Sequence, residues 1–291
     1  MTPDVHDLDT VLRRAVSALN RAGIEDAAVD ARVLAGAAFG LSREDMLRDP
    51  GSTLAPGAVA AFDGMIVRRA AREPVSRILG KREFRSLDFE ICPATLDPRP
   101  DSEALVEAVL ALANGTMRDL QVLDIGTGSG CLLLSVLHEV PSARGVGTDI
   151  DPDAIACAGR NAAALGLSGR ADFIRTNWVD GIEEPFDIVL SNPPYIPSGD
   201  ITGLAPDVAE YDPTAALDGG SDGLDAYRVL SLCVGRVLAP SGVIALEIGA
   251  GQGAEVEAIF ASAHFGLADT RRDLAGRDRV LVFSRVARSI G

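Results

Sequence analysis

From residue 120 onward, short apolar runs alternate with amphipathic stretches, and this alternation leaves few architectures open. QVLDIG, ARGVGTDID, ADFIRTNW, FDIVLSNPPY and GVIALEIG read as strands. CLLLSVLHEV, PDAIACAGRNAAALG and DAYRVLSLCVGRVLA read as the helices among them. Strand–helix–strand repetition builds an open, mostly parallel sheet with helices on its faces. A last helix (GAEVEAIFASA) and a last strand (RVLVFSRV) finish the segment. The expected fold class is α/β with a Rossmann-like sheet, and ligands of such sheets bind beyond the carboxyl ends of the strands.

The first part of the chain has a helical period instead. Leu8, Val11, Leu12, Ala15 and Leu19 share one helical face. A second helix is expected in AAVDARVLAGAAFG, closing at Gly40, a third at SREDML, and a fourth in PGAVAAFDGMIVRRAARE, ending before Pro74. Four such helices make a unit of roughly 75 residues, marginal alone but stable beside a larger neighbour. EFRSLDFEI then carries Phe84, Leu87, Phe89 and Ile91 as its larger apolar residues, with a break at Arg85-Ser86, which predicts a short hairpin.

At 291 residues and 47% hydrophobic content the chain can bury a sizeable core as one large domain or two unequal ones. No apolar run approaches the roughly 20 residues that span a bilayer. MTPDVHDLDTVLRR lacks an apolar signal core, so a cytoplasmic protein is expected. A net charge of −15 opposes nonspecific nucleic-acid binding, which rests on many Lys and Arg contacts to phosphate. The stretch RRAAREPVSRILGKREFR, with Arg68, Arg69, Arg72, Arg77 and Lys81, reads first as a solvated helix end. Its second reading is a patch for an acidic or RNA-associated partner. Cys92, Cys131, Cys157 and Cys233, with His6, His138 and His264, are too scattered for a zinc site or a disulfide framework, so reduced core thiols are expected.

Three strand ends describe a nucleoside crevice. The first is Asp124-Ile125-Gly126-Thr127-Gly128-Ser129-Gly130, whose glycines allow a tight turn and close ligand approach. The pattern is G-x-G-x-G, because Cys131 stands where a dinucleotide fingerprint places its next glycine. An acid two positions before the first glycine suits a ligand with positive charge, such as the ammonium and sulfonium of S-adenosylmethionine; a dehydrogenase stays open at this point. The second is Asp149, about 20 residues further on, where a carboxylate can accept both ribose hydroxyls. Asp151 and Asp153 are close competitors for this role, though Asp151 precedes a proline and reads as a helix cap. The third is Asn177-Trp178, able to read an adenine edge and face.

The fourth strand end is Ser191-Asn192-Pro193-Pro194-Tyr195-Ile196-Pro197. Two prolines remove two backbone donors and fix a rigid kink. Asn192 supplies a side-chain carbonyl, Pro193 a main-chain carbonyl, and Tyr195 a flat face for a planar amide. Such a clamp can accept both N–H bonds of an amide and aim its nitrogen at a methyl group, by positioning and preorganised electrostatics without a strong base. The same clamp could hold an adenine flipped from its stack.

DIGTGSG, NPPYIP and PRPDSE together resemble the class I S-adenosylmethionine-dependent methyltransferases that act on protein glutamine, and within them the release factor glutamine methyltransferases. The resemblance covers nearly the whole chain. It implies a methyltransferase sheet at 101–291, a β-hairpin linker at 77–100 and an N-terminal substrate-docking domain at 1–76. It implies cofactor contacts at Gly126, Thr127, Gly128, Ser129, Gly130, Asp149, Trp178 and Asn192. Substrate contacts fall on Asn192, Pro193, Pro194 and Tyr195, with Asn192, Pro193 and Tyr195 in the catalytic role and no metal. The implied reaction is methylation at N5 of the glutamine in the Gly-Gly-Gln motif of peptide-chain release factors. A ribosomal-protein glutamine or an adenine amino group in nucleic acid is the alternative acceptor. Release factors are thus the expected partner, with no DNA or membrane binding and a monomeric state. Asp101-Ser102 stands where the family often has Glu-Thr, and Asp97 where an aliphatic residue is usual; Arg99 and Glu103 carry no assigned role.

Overall fold

A computed structural model of the chain describes residues 6–113, 119–183, 185–273 and 275–286. The limits expected at residues 1 and 291 lie outside the described residues. The chain divides into two compact units, Met1–Lys81 with Ala205–Tyr211, and Arg82–Leu204 with Asp212–Gly291.

The first unit is helical. α1 (Leu8–Arg21) starts where the Asp7 side chain accepts from the Thr10 amide at 2.9 Å. α2 (Ala27–Phe39) stops at Gly40, whose φ of +64° few other residues adopt. α3 (Arg43–Arg48) begins in a reciprocal capping box between Ser42 and Asp45, and α4 (Pro56–Ala70) begins at a proline that has no donor to lose. Leu8, Val11, Leu19, Leu34 and Phe62 are fully buried among them. A fifth helix, α5 (Val75–Leu79), lies between Pro74 and Gly80 and is too short to show a periodic signal.

The Arg-rich stretch corrects its reading as a solvated helix end. Arg69 is buried, with its guanidinium 2.7 Å from Asp30 and 2.8 Å from Asp207. Arg72 reaches the same Asp207 at 2.8 Å, Arg68 pairs with Glu73, and the Tyr211 hydroxyl donates to the Ala71 carbonyl at 3.2 Å. These partners explain why residues 205–211 belong to the helical unit. The three arginines spend their charge inside the unit, which leaves little of a basic patch for an acidic partner.

β1 (Lys81–Phe84), whose first residue ends the first unit, and β2 (Leu87–Glu90) form the expected hairpin. Its two-residue turn, Arg85-Ser86, has both φ values positive (+50° and +62°), the twist that matches paired strands. Phe84 and Phe89 are buried with Leu105 of α6 (Glu103–Ala113). Then follow β3 (Gln121–Ile125), α7 (Cys131–Glu139), β4 (Arg144–Asp149), α8 (Pro152–Ala164), β5 (Ala171–Arg175), β6 (Phe186–Ser191) and β7 (Leu238–Glu247). β8 (Phe265–Arg272) and β9 (Asp278–Arg285) complete a seven-stranded sheet in the order β5-β4-β3-β6-β7-β9-β8. The first five pair in parallel and β9 is antiparallel to both neighbours.

Successive strand residues enter different cores, as the two-residue period requires. Val122, Ile188, Leu190 and Val282 pack with α6 and α7 on one face. Leu123, Val189, Leu246 and Phe283 pack with helices Asp225–Cys233 and Gly253–Ser262 on the other. β8 was not expected from the sequence. It is an edge strand in which only Phe265 is buried, so FGLADTRR carries no alternation.

Close packing makes two glycines of this unit behave oppositely. A Cβ at Gly145 would sit 2.4 Å from Leu133 Cδ1 and 3.1 Å from the Val122 carbonyl, so Gly145→Ala is expected to cost about 1–3 kcal/mol. A Cβ at Gly159 on α8 meets nothing within 4 Å, so Gly159→Ala is expected to add about 0.5–1 kcal/mol. Urea unfolding of both variants checks the contrast, which fails if the two shift in the same direction.

Candidate active site

β3 is hydrogen-bonded to β4 on one side and β6 on the other, and the loops after these strands line one cleft. After β3 the backbone turns through Gly126, Gly128 and Gly130, with φ of +74°, +56° and +79°. The amides of Gly126 and Thr127 both donate to the Thr148 carbonyl at 2.8 Å, which fastens this loop to β4. A Cβ at Gly126 or Gly128 would meet no protein atom within 4 Å, so the space beside them is left to the cleft.

Asp149 ends β4 and holds two loops by its own carboxylate. Its Oδ2 accepts from the Gly128 amide at 2.9 Å and its Oδ1 from the Asp151 amide at 3.0 Å. Each oxygen keeps a further lone pair for a ribose hydroxyl. Asp151 is the cap of α8, accepting from the Asp153 amide at 2.8 Å. Trp178 has φ +55°, uncommon for a residue with a side chain, and its carbonyl accepts from the Thr148 hydroxyl at 3.0 Å. Asn177 and Trp178 both line the cleft.

Asp124 is fully buried at the end of β3. Its Oδ2 accepts from the Thr127 hydroxyl at 2.7 Å, while its Oδ1 makes no hydrogen bond of full geometry. Burial raises its pKa to about 7, against opposing hydrogen bonds from the Thr127 hydroxyl and the Leu133 backbone. The buried Ser129 hydroxyl in the same loop also lacks a partner.

The loop after β6 is stapled at several points. The Ser191 hydroxyl donates to the Ile125 carbonyl at 2.7 Å, joining the ends of β6 and β3. Ile196 bridges to residues 217–219 through its amide to the Leu217 carbonyl and its carbonyl from the Gly219 amide, both 2.9 Å. The Tyr195 carbonyl accepts from the Gln252 amide group at 3.0 Å. Gly223 lies so close that a Cβ there would be 2.4 Å from that same carbonyl. Asn192, Pro193 and Pro194 line the cleft together with the glycine loop and Asp149.

Tyr195 is placed differently. Its neighbouring groove is lined by Ile196, Pro197, Gly249 and Gln252. Burial pushes its hydroxyl up to about 12, so it stays neutral and cannot serve as a base near neutral pH. Ser102, named above only within PRPDSE, borders the clamp, and Asp212 and Glu247 were not singled out by sequence reasoning. Ser102 accepts from Asn192 Nδ2 at 3.2 Å, Asp212 pairs with Arg99, and Glu247 lies buried at the end of β7. Glu247 had a signal: it is the one acid in the apolar run GVIALEIG. Asp212 had none, since it reaches Arg99 from a separate loop.

The cleft suits an adenosyl ligand with an amino-acid tail. Its glycine loop leaves room beside the backbone, Asp149 offers acceptors, and Asp124 and Ser129 hold polar atoms in reserve.

Two family descriptions match the chain, PrmC N-terminal domain over residues 10–80 and Methyltransferase small domain over residues 96–205. A release factor glutamine methyltransferase of Rhodospirillum rubrum is 46% identical over 280 residues, covering 96% of this chain and 86% of the relative. This chain belongs to the release factor glutamine methyltransferase family. A second member, from Agrobacterium fabrum, is 45% identical over 92% of this chain and 93% of its own length. Among solved structures, the catalytic domain of hMettl16 aligns with a TM-score of 0.56 at 15% identity, covering 83% of this chain and 87% of that one; the likeness is one of fold. S-adenosylmethionine is the family's methyl donor.

In this release factor glutamine methyltransferase fold, Asp124 makes stability depend on pH. Its folded pKa, about 7, lies above the ordinary 3.8, so the native state binds the proton more tightly than the unfolded chain. Stability from this group is therefore greatest below about pH 4 and is lost as pH rises through 7. Relative to wild type, Asp124→Asn should gain on the order of 4 kcal/mol between pH 4 and 8. Urea titrations of both proteins across that range test this; a pH-independent difference would refute it.

Proposed function

We propose that this chain methylates N5 of the glutamine in the Gly-Gly-Gln motif of peptide-chain release factors, using S-adenosylmethionine. The observation that carries the reading is the single cleft shared by the glycine loop, Asp149 and the Asn192–Pro194 clamp. When bound, S-adenosylmethionine supplies an electrophilic methyl group on a sulfonium. The Gly126–Gly130 loop and Asp149 would hold its adenosyl part, with Trp178 available to its base. Asn192 Oδ1 and the Pro193 carbonyl accept the two N–H bonds of the substrate amide. This pins the amide plane and turns the nitrogen toward the methyl group. The two carbonyls hold these N–H groups by hydrogen bonds only; the one proton the methylated nitrogen gives up passes to solvent, since an amide carbonyl is too weak a base to keep it.

The relatives named above carry release factor in their names, which favours that acceptor over a ribosomal protein or an adenine. Residues 1–76 serve in this reading as the docking domain, 77–100 as the linker hairpin and 101–291 as the catalytic domain. The protein acts as a cytoplasmic monomer that binds neither DNA nor membrane. Among the described residues no helix is long and apolar enough to cross a membrane.

Labelled S-adenosylmethionine offered with a release factor, a ribosomal protein and duplex DNA is expected to label the release factor. Transfer to DNA alone, or to no acceptor, would sink the proposal. Asn192→Ala should lower turnover by roughly a hundredfold or more while most cofactor affinity remains. Single-turnover rates and calorimetric cofactor titration measure the two effects, and near wild-type turnover would exclude the clamp.

A further inference from the structure

Asn192 can work as an acceptor only if its carboxamide oxygen faces the cleft. The two ends of a carboxamide have nearly the same shape, so packing alone does not choose between them. What chooses is the set of groups on its other side. Asn192 Nδ2 donates to Ser102 Oγ at 3.2 Å. Glu247 lies beside both, 1% exposed, at the end of β7. Hydrogen bonds from Ser102 and Asn192 favour its charged form, although burial, the larger effect, raises its pKa to about 7. Its Oε2 has no partner of hydrogen-bond geometry.

The obvious structural role for a buried glutamate is to balance an arginine. The charge of Arg279 favours the ionised form of Glu247, but its guanidinium pairs with Asp101 at 3.0 Å and Asp273 at 3.3 Å. Among the described residues no ion pair holds Glu247. The Glu247 backbone is fixed independently, because the buried Tyr227 hydroxyl donates to its carbonyl at 3.0 Å. A carboxylate held here, with Ser102 and Asn192 as its hydrogen-bond donors, has a clear effect. It accepts from the Ser102 hydroxyl, which leaves a Ser102 lone pair for the Asn192 amide group, and it repels the Asn192 oxygen.

We propose that Glu247, directly and through Ser102, is the positioning residue that keeps the Asn192 carboxamide oxygen turned toward the substrate. The inference rests on the functional reading above and names what orients its clamp. Glutamine at 247 could donate as well as accept, and would let the carboxamide turn over.

The test compares wild type, Glu247→Gln, Ser102→Ala and Ser102→Thr in full-length protein, with a release factor as acceptor. Glu247→Gln and Ser102→Ala should lower kcat by roughly ten- to a hundredfold with cofactor affinity within about twofold of wild type. Ser102→Thr, which keeps the hydroxyl, should restore most of the rate. At pH 8 Glu247→Gln should unfold at no lower urea concentration than wild type, since it removes a buried charge without a salt bridge. A purely structural glutamate would instead lose stability and cofactor binding together. Turnover of Glu247→Gln within twofold of wild type, or equal rates for Ser102→Ala and Ser102→Thr, would overturn the positioning role alone. A wild-type chain that labels no release factor would overturn the functional reading and this inference with it.

Discussion

β3 lies between β4 and β6, hydrogen-bonded in parallel to both; the chain runs outward from β3 through β4 to β5 and then crosses back to lay β6 on the other side of β3. A gap therefore opens above its carboxyl end, with no helix to fill it. The glycine loop, Asp149 and the clamp all owe their meeting to this reversal, since each follows a different strand of the set. Ser191 to Ile125 and the Gly126 and Thr127 amides to Thr148 then lock the three strand ends at hydrogen-bond distance. The cleft is thus built by backbone first and furnished by side chains second.

Much of this was legible in the sequence because it rests on local rules. Parallel buried strands announce themselves as apolar runs, and Gly40, Ser42, Pro56 and Asp151 mark helix ends for reasons contained within a few residues. The three strand-end loops could be named before any coordinate, since loop position in an open sheet follows from topology. Edge strand β8 was not legible, because solvent on its surroundings removes the pattern. Nor was α5, shorter than two turns.

The ion pairs were the least legible. Arg69 looked like a surface charge at the end of a helix, yet its partners are Asp30 and Asp207, one on α2 and the other well beyond the clamp. Charge pairing across such separations depends on where the chain returns, which no local period encodes. The support behind Asn192 is similar. Ser102, Asn192 and Glu247 come from a turn before α6, a loop after β6 and the end of β7. Only the assembled sheet shows that one amide has acceptors on its far side.

The return of residues 205–211 has a consequence for synthesis. A ribosome makes α1–α5 first, and at that stage Arg69 has Asp30 but not Asp207, and Arg72 lacks its carboxylate. These partners emerge only after β6 and the clamp have been translated. The helical unit is therefore finished late, by a piece of chain that arrives on the way between two strands of the sheet. A fragment ending at residue 81 would contain every helix from α1 to α5 and still leave Arg69 with half its counter-charge.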